Sequence, residues 1–174
     1  MRRFAVAGAM VVALLLARNA SAGVSAEPVD SAKLLPFLPD TVDGYVAEKP
    51  RGSTSTAMGF QLTEVSRIYH RGSEDADATV TVKLTDGAGN QFFTAAHAAV
   101  AEFKTENAEG YERGLTLDGF PAIERYTNES RDGSLTVFVA SRYLVEIDID
   151  GLDSQEMQVW WKKLNAKKLA ALND

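Results

Sequence analysis

The sequence predicts an α+β domain: an antiparallel β-sheet with packed helices, in the order strands, helix, strands, helix. Three patterns carry that expectation. Residues 79–85 alternate apolar and polar side chains with period two. Residues 91–109 repeat apolar side chains every three or four positions. Residues 135–149 place an apolar or aromatic side chain at every odd position except Ser141.

The elements follow in order. Residues 23–40 read as a lead-in segment, because Pro28, Pro36 and Pro39 interrupt it and proline disfavours helix at the preceding residue. At most one short turn fits at 31–35. Leu34, Leu35, Phe37 and Leu38 are expected to cap one edge of the core, with a hydrophobic docking arm as the other reading. A single α+β domain then spans residues 41–174. A short strand at 44–48 and a Gly/Ser/Thr-rich connection at 52–56 precede a strand at 60–70 rich in Thr, Val, Ile and Tyr. Val65 and Tyr69 take one face of that strand, Leu62 and Ile68 the other. An acidic turn at 72–77 joins it to the strand at 79–85, where Val80, Val82 and Leu84 point inward, so the two strands form an antiparallel hairpin.

Asp86-Gly87-Ala88-Gly89-Asn90 closes that strand, and Asn90 is a favoured residue type for capping a helix over 91–109. Its stripe is Phe92, Phe93, Ala96, Ala99, Val100 and Phe103, and Gly110 is the stop. After Leu115-Thr116-Leu117, Asp118-Gly119 is a turn dipeptide. A strand at 122–127 and a second turn at Asp132-Gly133 follow. Strands average about five or six residues, so 135–149 is read as two strands turning near Ser141-Arg142. Asp153, with Glu156 three residues on, starts a closing helix that runs to about Leu172. Met157, Trp160, Trp161 and Leu164 form its apolar face.

Arg2 and Arg3, an apolar run over 4–16 and Ala20-Ser21-Ala22 make the three-part plan of a secretory signal peptide over 1–22. The run is short of the roughly 20 residues that cross a bilayer, so no transmembrane segment is expected once the signal is removed. Removal takes Lys+Arg from 18 to 15 against 24 Asp+Glu, and the formal charge from −6 to −9. That balance argues against a nucleic-acid partner, which must be met with Lys and Arg. The chain has no cysteine, which excludes a disulfide scaffold, a thiolate nucleophile and a lipid-bearing Cys. A soluble periplasmic or secreted protein is the expected setting.

No chemistry-bearing constellation emerges. His70 and His97 lack zinc-site spacing, and no Gly-x-Ser-x-Gly elbow accompanies them. The 86–90 segment has the first two glycines of a dinucleotide fingerprint, but Phe92 holds the third position. Glu146, Asp148 and Asp150 share one strand face, which reads as a solvated face rather than a calcium loop. No metal, cofactor or catalytic residue is assigned, and the domain is expected to be non-enzymatic. Trp160 and Trp161 point about 100° apart on a helix, so one is expected in the core and the other at its margin as a docking candidate. Lys162, Lys163, Lys167 and Lys168 complement the helix C-terminus.

The order of elements, together with Leu38-Pro39, Gly44-Tyr45, Val139 and Arg142-Tyr143-Leu144-Val145, resembles the PsbP/Mog1-type α/β/α sandwich of small exported proteins. The resemblance implies a protein-binding or accessory module and carries over no functional residue. The expected function is therefore an exported domain that binds a protein or cell-envelope partner. The alternative is a small apolar-ligand binder with a pocket between sheet and helix, lined by Phe92, Phe93, Tyr126 and Tyr143.

Overall fold

The computed structural model describes residues 27–57, 60–88 and 103–172. Residues 1–22, expected to be a signal peptide, and most of the helix expected at 91–109, including Phe92, Phe93 and His97, lie outside them. A one-turn helix α1 (Ser31–Leu34) and a 3₁₀ turn (Leu35–Phe37) lead into β1 (Tyr45–Ala47), β2 (Arg51–Ala57), β3 (Phe60–Arg71) and β4 (Thr79–Asp86). Next come β5 (Lys104–Glu106), β6 (Gly110–Leu117), β7 (Phe120–Thr127), β8 (Asp132–Val139) and β9 (Tyr143–Asp150). Two short helices close the chain, α2 (Gln155–Trp161) and α3 (Ala166–Ala170).

The nine strands form one antiparallel sheet in the order β1, β3, β4, β9, β8, β7, β6, β5, with β2 beside β1 along the same edge of β3. Two meanders, β2 to β4 and β5 to β9, meet where β4 pairs with β9 (Val82 opposite Ile147). This corrects the expected α+β layout of alternating strands and helices. The described helices have only 4, 7 and 5 residues, and the sheet supplies the architecture. Helices this short are not stable alone; they persist by burying an apolar face against a sheet that is already complete.

That burial defines the covered face. Val65 and Tyr69 of β3, Val80, Val82 and Leu84 of β4, Leu135, Val137 and Val139 of β8, and Tyr143, Val145, Ile147 and Ile149 of β9 are all buried there. The partners laid on them come from both ends of the chain: Val29, Leu34 and Leu38, then Met157, Trp160, Trp161 and Leu169. The lead-in segment is therefore core, not an arm. Asp86 fastens it, being fully buried and accepting from the amides of Val29 (2.7 Å) and Ala88 (2.8 Å) and from Arg142 Nε and Nη2 (2.9 Å each).

A second buried carboxylate, Glu124, secures α2. It accepts from the Tyr111 hydroxyl, Arg113 Nη2 (2.7 Å) and Gln158 Nε2 (3.1 Å). Each bond leaves less of the carboxylate's desolvation cost uncompensated.

Local expectations divide along the same line. The β3–β4 hairpin and the β8–β9 hairpin form as read, and the latter turns on Ala140 and Ser141, both at positive φ. Asp118 and Gly119, also at positive φ, make the tight β6–β7 turn. Asp132-Gly133 is not a turn but the start of β8. A Cβ on Gly133 would come within 3.0 Å of Met157 Cε and the Tyr126 ring, so glycine is needed there for close approach of α2 rather than for chain reversal. The C-terminal part of the helix expected at 91–109 is strand instead: Lys104 to Glu106 pair with β6, Lys104 opposite Arg113. The single closing helix is two, because Asn165 caps a new start by accepting from the Lys168 amide (3.1 Å). Asp153 does not cap α2; its carboxylate pairs with Arg131 at 2.8 Å.

Candidate ligand groove

The other face of the sheet carries no described helix. Its side chains follow from register. Across β4, β9, β8 and β7, Thr81 lies opposite Asp148, Asp148 opposite Ser134, and Ser134 opposite Arg125; one row on, Thr79 lies opposite Asp150 and Thr127 opposite Asp132. Period-two geometry puts all of these on one surface. They line a groove of about 460 Å³ at the end of the sheet where β4 and β8 begin. Beyond it the rows turn apolar, with Leu144 opposite Phe138, and Phe138 is only 8% exposed.

The groove is rich in acceptors. Arg125 is the one cation among its lining residues, and it is already paired with Glu112 at 2.8 Å. Lys83, one row further on, is likewise paired with Glu146 at 2.7 Å. Asp132, Asp148 and Asp150 appear in no ion pair among the described residues. Asp132, at the start of β8, and Asp150, at the end of β9, are neighbours whose ionisations influence each other. Ser130, then Asp150 and the Gly151 amide, hold Asp132 below the usual carboxylate range. Contact with Asp132, with slight desolvation and the charges of Asp132 and Asp77, raises the exposed Asp150. Asp148 still meets solvent, but crowding against the sheet surface raises its pKa, helped by Glu146 and opposed by Lys83. Asp148 and Asp150 thus ionise less readily than an ordinary aspartate, and an incoming cation would favour their charged forms.

Of the docking and pocket candidates singled out from sequence, Tyr126 borders the groove, Trp160, Trp161 and Tyr143 do not line it, and Phe92 and Phe93 lie outside the described residues. Trp160 and Trp161 are both buried, at 0% and 3% exposure, so neither is a marginal docking side chain. Trp160 stacks against Tyr69 and meets Tyr45 edge-on, and Trp161 donates to Asp118 Oδ2 at 2.7 Å. Tyr143 and Tyr126 use their hydroxyls to hold the C-terminal chain, donating to the carbonyls of Leu172 (2.7 Å) and Leu152 (3.0 Å). Between the sheet and the C-terminal helices, around Val82, Val145, Trp161 and Leu169, the free volume is about 10 Å³, room for one water at most. His70 contacts Glu48 Oε1 through Nε2 (3.0 Å) and the Ala76 carbonyl through Nδ1 (3.4 Å), tying the 72–78 loop to the sheet edge.

Sequence reading recognised the inward Val80, Val82 and Leu84, whose alternation leaves Thr79 and Thr81 facing outward, and the shared face of Glu146, Asp148 and Asp150. It missed Asp132, Ser134, Thr127 and Arg125 as their neighbours. Alternation shows which way a side chain faces, but not which strand stands beside it.

Among the described residues, no group of three or more His, Asp or Glu is placed to hold a metal ion. No helix among them is long and apolar enough to cross a membrane. The chain matches no family model, no curated protein and no solved structure.

Proposed function

We propose that this chain is an exported, non-catalytic binding domain that takes a cationic, amine-bearing segment of a protein or cell-envelope partner in the groove between β4, β9, β8 and β7. One observation carries the reading: three carboxylates with no ion pair among the described residues line a groove whose single cation is already neutralised. Threonine and serine hydroxyls beside them supply further acceptors and fix orientation. The leader-like residues 1–22 support export, and the acidic balance of the chain favours a basic partner over an acidic one.

The carboxylate pair gives the binding a pH signature. Asp150 and Asp148 keep their protons above the usual carboxylate range, and a bound ammonium competes with those protons. Affinity therefore rises as pH climbs through that range, with proton release. Titration calorimetry with tetralysine at low salt tests the reading, with tetraglutamate as control. Binding of tetralysine alone, weakened about tenfold or more in Asp148→Asn/Asp150→Asn, is expected. Failure of tetralysine to bind, or equal binding by the double variant, refutes it.

A further inference from the structure

The two edges of the sheet are built differently. At one, β5 is three residues long and carries Lys104 and Glu106, which pair with each other. A short, charged edge strand is a recognised protection against strand addition. At the other edge, β2 runs seven residues, Arg-Gly-Ser-Thr-Ser-Thr-Ala, in unbroken register with β3 from Arg51 opposite Ser66 to Ala57 opposite Phe60. It contains no proline, no bulge and one charge. Residues 51–56 are all exposed, and among the described residues β2 pairs with β3 only. Half of its backbone donors and acceptors therefore face away from β3, with no strand among the described residues to receive them.

We propose that β2 pairs with β2 of a second copy, in antiparallel alignment about a two-fold axis, giving one continuous sheet through a dimer. The occupant follows from the strand's own chemistry. Recognition of a foreign extended peptide draws its specificity from pockets for alternate side chains, and Ser, Thr and Gly provide none. Self-pairing needs only main-chain groups and an absence of opposed charge. Centred on Thr54, it sets Ser53 opposite Ser55 of the second copy and Arg51 opposite Ala57, so no like charges meet. Hydroxyl pairs across strands are favourable, and Thr54 already makes one with Thr63 on its other side (Oγ1 to Oγ1 2.9 Å). A two-fold contact uses the same patch on both copies and closes at two, so the open edge is consumed rather than propagated. The groove described above lies on the far side of β3, along β4, β9, β8 and β7, and remains accessible in the dimer.

Sedimentation velocity across a wide concentration range tests this on the full chain. The chain is expected to pass from monomer to dimer, with nothing larger. Ser53→Lys/Ser55→Lys opposes lysines across the axis and should weaken dimerisation about tenfold or more. Ser53→Glu/Ser55→Glu should do the same, and an equimolar mixture of the two variants should recover a heterodimer. Both substitutions lie on an exposed strand, and unchanged circular dichroism and melting temperature verify the fold. A chain that stays monomeric, a lysine variant that dimerises like the parent, a mixture without heterodimer, or growth beyond two copies each overturns the proposal. Because the readout involves no ligand, its failure is distinct from failure of the cationic-groove reading.

Discussion

Replacing Arg142 by methionine keeps most of the side-chain volume but removes the guanidinium that faces Asp86 with two 2.9 Å bonds. Asp86 is 0% exposed, and its remaining donors are the two backbone amides of Val29 and Ala88. Breaking a buried ion pair from one side costs about 3–5 kcal/mol, because the charge left behind is not resolvated. For a domain of roughly 150 residues, about 4 kcal/mol corresponds to a fall of about 8–16 °C in Tm. Urea and thermal unfolding of Arg142→Met against the parent chain read this directly. The double variant Asp86→Asn/Arg142→Met should regain a substantial part of the loss, since the neutral amide oxygen still accepts from a backbone amide without carrying an unpaired charge. A loss below about 1 kcal/mol would refute the reasoning, since it would mean that water reaches Asp86 and the pair is not a closed clamp on the lead-in segment. A double variant no more stable than Arg142→Met would refute it too, since the penalty would then not come from the stranded charge.

The burial of both indoles predicts a blue-shifted tryptophan emission that iodide quenches poorly until the chain unfolds; red-shifted, readily quenched emission would reinstate Trp161 as a surface group. His70 supplies a pH test. Its hydrogen bond to Glu48, then that to the Ala76 carbonyl, raises its pKa above the ordinary 6.5. A histidine raised on folding contributes stability that is fully present below its unfolded pKa and is lost as pH rises through the folded value. The parent chain should therefore lose stability on going from slightly acid to slightly alkaline pH, while His70→Gln should show a flatter profile in urea melts. Equal slopes for the two would remove His70 from the account.

Strands and their inward faces were legible because they depend on neighbours two residues away. Val80, Val82 and Leu84, and the odd positions from Leu135 to Ile149, show their burial in their spacing alone, and Asp118-Gly119 shows its turn in the backbone freedom of two residues. Helical periodicity was a weaker guide. The stripe from Phe92 to Phe103 extended a helix reading across Lys104-Thr105-Glu106, where pairing with β6 prevails over local preference. Asp153 and Glu156 suggested a capping box, yet Arg131, more than twenty residues earlier, takes the Asp153 carboxylate.

The site was less legible still. Asp132 and Asp150 come together only because β8 and β9 are neighbours, and Thr79 and Thr81 join them only because the chain returns to β4 after building β5 to β8. Likewise, nothing near Trp161 in the sequence announces that Asp118 will accept its indole N–H. The sequence by itself determined the strands, their inward faces, the acidic balance and the absence of cysteine, all of which are local or compositional. The tertiary structure alone decided that the second face holds a carboxylate groove, that both tryptophans are buried and that β2, among the described residues, pairs on one side only. Those outcomes depend on which distant strands become neighbours, and side-chain period two is blind to that choice.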